Sequence, residues 1–307
     1  MKNNALLEEK YLVDSFLMLG PRPLSSYSFV SIFAWCDFFD FEFKMINSSL
    51  CIFAHGETGS FLYLPPLGSG FDSSTIQSVF EHMSKGGKLK PVNRIENIPG
   101  NLLSAFPEGS YNHYLKPAEY VYAKEDLVAL KGNAYKSQRH DCNSFRAHHP
   151  EHSFEPYTDA DFESCMAVFD AWASNRASTN SDEVYRSMLQ ENRLVHARLL
   201  KFWERLGLIA RVLKVDGRII GYTLGFAVDE HTFCVYAEIA DFKVTGSAAF
   251  LFKSFCEDEQ LKYFSRINAM DDFAMPNVTR AKLAYHPSEL IGSYTVSLKT
   301  PAIVGGV

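Results

Sequence analysis

The chain has 307 residues, a formal net charge of −6 and a pI near 5.9. Its 47% hydrophobic and 14% aromatic content is enough to bury substantial cores and excludes a disordered chain, and the length suggests two domains. The acidic balance weighs against a surface given over to nucleic acid, while leaving room for a local basic groove.

In chain order, residues 6–19 have the periodicity of an amphipathic helix closed by Gly20-Pro21. Glu8, Glu9, Lys10 and Asp14 interrupt it, so it is not a signal-peptide core. Residues 25–35 are dense in aromatics and read as core. Segments 41–46, 50–54 and 61–64 form a meander of short strands, the first two joined through Asn47-Ser48-Ser49. Ser73-Ser74 caps a helix ended by Gly86-Gly87, before a strand over 88–95 and a short helix toward Phe106. Tyr120 to Tyr122 alternate as a strand, Glu125 and Asp126 open a helix, and Lys131-Gly132 breaks it. Lys136, Arg139 and Asn143 then share one helical face. Such a face can hold a phosphate or carboxylate, or it can simply be solvated. His148, His149 and His152 flank Pro150 in what reads as a linker rather than a metal site, which puts the domains at 1–150 and 151–307.

The second half opens at Phe154, with Thr158 and Asp161 capping a helix that reaches Trp172. Residues 174–182 are polar and unpatterned, as in a mobile loop, and 183–206 form a long amphipathic helix stopped by Gly207. Asp216-Gly217 turns a hairpin between 208–215 and 218–228. A strand over 232–239, a helix over 248–257 and strands over 264–269 and 280–284 follow. The six cysteines show no C-x-x-C spacing and read as reduced thiols in a cytosolic protein. No apolar run approaches the ~20 residues of a membrane helix.

Two stretches carry a family resemblance. Residues 120–145, with Tyr120, Val121, Tyr122, Leu127, Leu130, Gly132, Arg139, Asn143 and Phe145, resemble D-Y-V-Y-x-x-x-x-L-x-x-L-x-G followed by K-R-N-x-x-N-x-F. Residues 267–287 match N-R-E-x-D-x-G-x-x-G-L-R-x-A-K-x-x-Y-x-P at Asn268, Asp272, Ala281, Lys282, Tyr285 and Pro287. These are the signatures of the phosphatidylglycerol lysyltransferase C-terminal-like family. Glu119, Gln138, His140, Met270, Ala274, Asn277 and Thr279 depart from them. The resemblance implies an α/β (α+β) chain of two acetyltransferase-like (GNAT) domains in tandem, with mixed central sheets flanked by helices and a crevice between the halves. The element order of each half agrees with that. It also implies a bacterial acyltransferase, cytoplasmic or membrane-peripheral. An aminoacyl-tRNA or a coenzyme A ester would be co-substrate, with no tightly bound cofactor, and a lipid head group or small molecule the acceptor.

Candidate chemistry follows from these positions. Glu238 ends the central strand and corresponds to the Glu of the family's H-x-E-K. With Asp271 and Asp272 past the next strand, it can hold a substrate amine or accept its proton. Lys243 to Ala248 approximates the Q/R-x-x-G-x-G/A turn that binds coenzyme A pyrophosphate. Gly246 serves there either for close anion approach or merely for packing. Arg280, Lys282 and the motif residue Tyr285 join Lys136, Arg139, Asn143, Lys243 and Gly246 as substrate-binding candidates. No nucleophile elbow is present. A non-catalytic binding protein that kept the tandem fold is the alternative.

Overall fold

The structure, a computed structural model, describes residues 2–56, 59–69, 71–85, 93–180 and 182–299. The chain forms two compact units, Met1–Ala118 with Ile291–Val307, and Glu119–Leu290. The first contains α1 (Lys2–Glu8), α2 (Lys10–Leu17), α3 (Phe29–Ala34), β1 (Asp40–Ile46), β2 (Ser49–Gly56), β3 (Gly59–Leu62), β4 (Leu67–Gly68), α4 (Ser73–Lys85), β5 (Arg94–Pro99) and β6 (Tyr111–Leu115). The second contains β7 (Glu119–Ala123), α5 (Lys124–Ala129), α6 (Lys136–His148), β8 (Ser153–Pro156), α7 (Phe162–Thr179), α8 (Glu183–Lys201) and α9 (Trp203–Leu206). It continues with β9 (Ile209–Val215), β10 (Arg218–Ala227), β11 (Thr232–Ala240), α10 (Ser247–Cys256), β12 (Arg266–Asn268), α11 (Pro276–Leu283) and β13 (Glu289–Ile291). β14 (Ser293–Leu298) returns to the first unit.

Each unit has a seven-stranded mixed sheet flanked by helices. The first runs β1-β2-β3-β5-β14-β6, with β4 also on β2, and the second runs β13-β7-β12-β11-β10-β9-β8. β3 pairs with β5 in parallel, as β11 does with β12, and each sheet takes a strand from a distant part of the chain. β14 lies between β5 and β6, while β7 lies between β12 and β13. This corrects the boundary expected near residue 150. β7 hydrogen-bonds along β12, and Phe145 of α6 stacks on Phe250 of α10 at 4.6 Å, so the segment from Glu119 onward belongs to the second core.

Other expectations are corrected locally. The opening helix is broken at Glu9, which stands at the N-cap position of α2 without a side-chain capping bond. Residues 174–179, expected as loop, continue α7, where the Arg176 guanidinium lies over the Trp172 ring one turn back. Residues 280–284, expected as strand, lie mostly in α11, which Pro276 starts at its first turn. The Gly86-Gly87 helix stop and positions 88–92 of an expected strand lie outside the described residues. The capping box at Thr158 and Asp161 and the Asp216-Gly217 hairpin turn are as expected.

In the first unit Val296 of β14 is fully buried with Ile95, Ile98, Phe53 and Phe80. Ending the chain at Leu290 should therefore remove amide exchange protection from β5 and β6, about 200 residues upstream in sequence, because both lose a hydrogen-bonded neighbour. Retained protection there would show that β14 is dispensable.

Candidate active site

The second sheet is built to part in its middle. β12 pairs with β11 only over Thr232, Phe233 and Cys234, then ends at Asn268 while β11 runs on to Ala240. A bulge leaves Tyr236 unpaired between the Gly225–Val235 and Leu224–Ala237 pairs, and such irregularities bend a strand. Gly225 permits it, since a Cβ there would stand 2.1 Å from the Cys234 carbonyl oxygen.

Glu238 follows the bulge and pairs with Thr223. A Cβ on Gly221 would touch Leu251 of α10 at 3.2 Å, so by alternation Thr223 and Glu238 face the same helix. The Glu238 Oε2 is closed to solvent and has no hydrogen-bond partner among the described residues. Burial pushes its pKa up to about 8. The carboxyl also bears on the Tyr285 hydroxyl and the Cys256 thiol, both raised above their ordinary range chiefly by burial. Tyr285 packs edge-on to Phe252 at 5.0 Å, and next to it the Ala284 carbonyl accepts from Gln138 Nε2 of α6 at 2.7 Å. Gln138 Oε1 is a second buried acceptor with no partner.

The carboxylates after β12 do different work. Asp272 is 7% exposed; it accepts from the Tyr120 hydroxyl at 2.7 Å, the Thr279 hydroxyl and the Ala274 amide at 3.0 Å. Burial alone would raise its pKa, but these bonds outweigh it and hold the group below its usual value. Lys282 Nζ donates to the Ala269, Met270 and Asp271 carbonyls, and burial lowers its pKa. The turn so braced contains Met270, Phe273 and Ala274 at φ of 60°, 51° and 55°, costly for non-glycine residues. Asp271 Oδ1 accepts the Phe273 amide at 2.8 Å. Asp272 and Lys282 therefore fix a strained turn, and Glu238 is left as the carboxyl with an unused oxygen.

The remaining candidates divide between two surfaces. Arg139 donates to the Leu130 and Gly132 carbonyls, closing the left-handed turn after α5. Lys136 and Asn143 are exposed on α6, and Lys243 is exposed at the turn before α10. Gly246, at φ 78°, is pressed on α6, with a Cβ there only 2.2 Å from the Asp141 carbonyl oxygen. Its packing role is thus physical fact. Arg280 is exposed on α11 beside Ala274, Pro276 and Leu283. Next to it a groove of about 360 Å³ is lined by Tyr185, Met188, Phe273, Met275 and Pro276, with Arg176. Spacing could not reveal this groove, because its residues come from α7, α8 and the turn after β12. Among the described residues no cluster could hold a metal ion, and no helix is long and apolar enough to cross a membrane.

The fold is that of GNAT-like acyltransferases. It is similar to a conserved protein of unknown function from Bacteroides thetaiotaomicron VPI-5482 at 23% identity and TM-score 0.83, covering 95% of this chain and 97% of that one. It is also similar to L-PGS from Bacillus licheniformis, at 14% identity and TM-score 0.66 with 95% and 93% covered. For a tandem GNAT protein of the clavulanic acid biosynthesis pathway the values are 11% and 0.54, with 96% and 97% covered. No curated protein sequence matches the chain. The family model described as "Phosphatidylglycerol lysyltransferase, C-terminal" matches residues 19–297, and the chain belongs to that family.

Two outcomes test this description. With its pKa pushed up to about 8 by burial, Glu238 should keep its proton in the folded chain where the unfolded one loses it near pH 4 to 5, so stability should fall as pH rises from about 5 to 8, by roughly a few kcal/mol. Glu238→Gln should flatten the denaturant midpoint across that window; an equal slope in both proteins would place the carboxyl in water. Arg139→Ala should lower unfolding free energy by about 1–3 kcal/mol, whereas Lys136→Ala leaves it within about 0.5 kcal/mol. Equal effects would remove Arg139 from its turn.

Proposed function

We propose that this chain is an aminoacyl transferase that uses Glu238 as general base and a charged tRNA as donor. The observation that carries the reading is Glu238 itself, a half-buried residue whose Oε2 is closed to solvent and without a partner among the described residues, its pKa pushed up to about 8, beside the parting of β11 and β12. The ionised fraction of Glu238 would take the proton of an acceptor amine or hydroxyl entering there as it attacks the aminoacyl ester carbonyl, and the ribose oxygen would leave as the ester C–O bond breaks, taking that proton from Glu238. The groove lined by Tyr185, Met188 and Phe273 suits an acceptor with an apolar part, such as a lipid carrying its head group toward Arg176 or Arg280.

Two features favour tRNA over coenzyme A. The Gly246 turn is backed by the α6 main chain, which explains its glycine without any pyrophosphate. The exposed side of α6 presents Lys136, His140, Asn143, Arg146 and His148, with Lys131 before it and Asp141 as the helix's single acid. In an acidic chain this is the local basic strip that a phosphate backbone needs.

Transfer of a labelled aminoacyl group from charged tRNA to phospholipid vesicles should be detectable, and Glu238→Gln should slow it by about 10²–10⁴ with the fold intact by circular dichroism. tRNA affinity should fall steeply with salt, and Lys136→Ala combined with Lys243→Ala should shallow the log–log slope by about 1–2. Acetyl transfer from acetyl-CoA with no tRNA binding would replace this donor. Absence of binding by either would leave the non-catalytic alternative.

A further inference from the structure

The first unit carries a second chemical arrangement, independent of Glu238. On the face of its sheet covered by α4, five side chains from four elements form one hydrogen-bonded chain. Lys44 Nζ lies 3.2 Å from His82 Nδ1, and His82 Nε2 lies 3.1 Å from Glu42 Oε2. His55 Nε2 lies 3.2 Å from the same oxygen, and His55 Nδ1 lies 2.7 Å from Ser60 Oγ. Glu42 and Lys44 belong to β1, His55 to β2, Ser60 to β3 and His82 to α4, with His55 and Ser60 directly paired across strands.

The proton positions follow from donor and acceptor capacity. An ammonium only donates, so Lys44 makes His82 Nδ1 an acceptor and leaves the His82 proton on Nε2, facing Glu42. An ionised carboxylate only accepts; Glu42, held below its usual pKa by both histidines against the opposing effect of burial, therefore requires a proton on His55 Nε2. In the neutral imidazole that leaves Nδ1 of His55 bare, 2.7 Å from the Ser60 hydroxyl oxygen. A hydroxyl next to an unprotonated imidazole whose far nitrogen is held by a carboxylate is the arrangement of an activated serine.

We infer that Ser60 is a nucleophile that accepts acyl groups from esters with good leaving groups, with His55 as its base and Glu42 as the positioning residue. Ser60 Oγ bonds to the acyl carbon as its proton moves to His55 Nδ1. The ester C–O bond breaks, and the leaving oxygen takes that proton from His55. Water then attacks the acyl-serine, releasing a carboxylic acid and restoring the hydroxyl. Ser60 is only partly buried, so an ester can approach it.

The full chain treated with p-nitrophenyl acetate should release about one p-nitrophenolate per chain in a burst, and peptide mass spectrometry should find the acetyl group on Ser60. Ser60→Ala should abolish the burst, and His55→Ala should slow it by about 100-fold or more. Glu42→Gln should slow it as well, with His82→Ala having the smaller effect, since His82 does not touch Ser60. Acetylation on His55, His82 or Lys44 in place of Ser60, no acetylation at all, or an unchanged rate in His55→Ala would each overturn the proposal. Should a variant fail to fold, the acetylated position in the unaltered chain decides.

Discussion

Cys234 is the last residue of β11 that β12 reaches, and much of the second unit follows from that early parting. A parallel pair in the middle of a sheet would ordinarily continue and bury both strands. Here β12 ends and the chain enters a left-handed turn braced by Asp272 and Lys282. β11 goes on alone on that side, through a bulge, to a carboxyl that nothing neutralises. In the turn after β12 the polar atoms of Asp272 and Lys282 are hydrogen-bonded, while Glu238 Oε2 and Gln138 Oε1 are closed to solvent without partners among the described residues. That contrast is the physical ground on which the proposed mechanism gives Glu238 the chemical role and the turn residues a structural one.

The strand order bears on how the units can be divided. β14 supplies Val296 to the first core and β7 supplies Tyr120 and Tyr122 to the second. The first unit is completed by β14 from beyond the second, whereas the second runs unbroken from Glu119 to Leu290, so a cut at a plausible linker such as Pro150 severs α6 from the core it packs against. Tyr120 also donates to Asp272 across 152 residues of sequence, so the strand from the start of the unit helps to hold the turn near its end.

Charge is distributed with a similar economy. A net of −6 is compatible with a strip on α6 where cations outnumber acids, because interactions over more than about 10 Å are screened at ordinary ionic strength. Arg139 shows why such strips cannot be read by counting: it lies on that helix, yet its guanidinium is held by two carbonyls of the preceding turn.

Local chemistry was written plainly in the sequence. Asp216-Gly217 and Thr158 with Asp161 set a turn and a cap through interactions a few residues long, and the two motifs around Tyr120 and Lys282 were enough to identify the family. Glu238 could be singled out as a strand-end carboxylate, though not as one with an oxygen closed to solvent, since that depends on α10 and on where β12 stops. Spacing placed Lys136, Arg139 and Asn143 near one another but could not say that Arg139 faces a carbonyl pair. Residues 280–284 misled because their composition suits strand or helix, and Pro276 decided it. The course of β7 and β14, the seat of Gly246 on Asp141 and the alignment of Ser60, His55 and Glu42 across three strands all depend on which strands lie side by side. Strand pairing is a long-range choice made by the whole core, so only the tertiary structure could decide them.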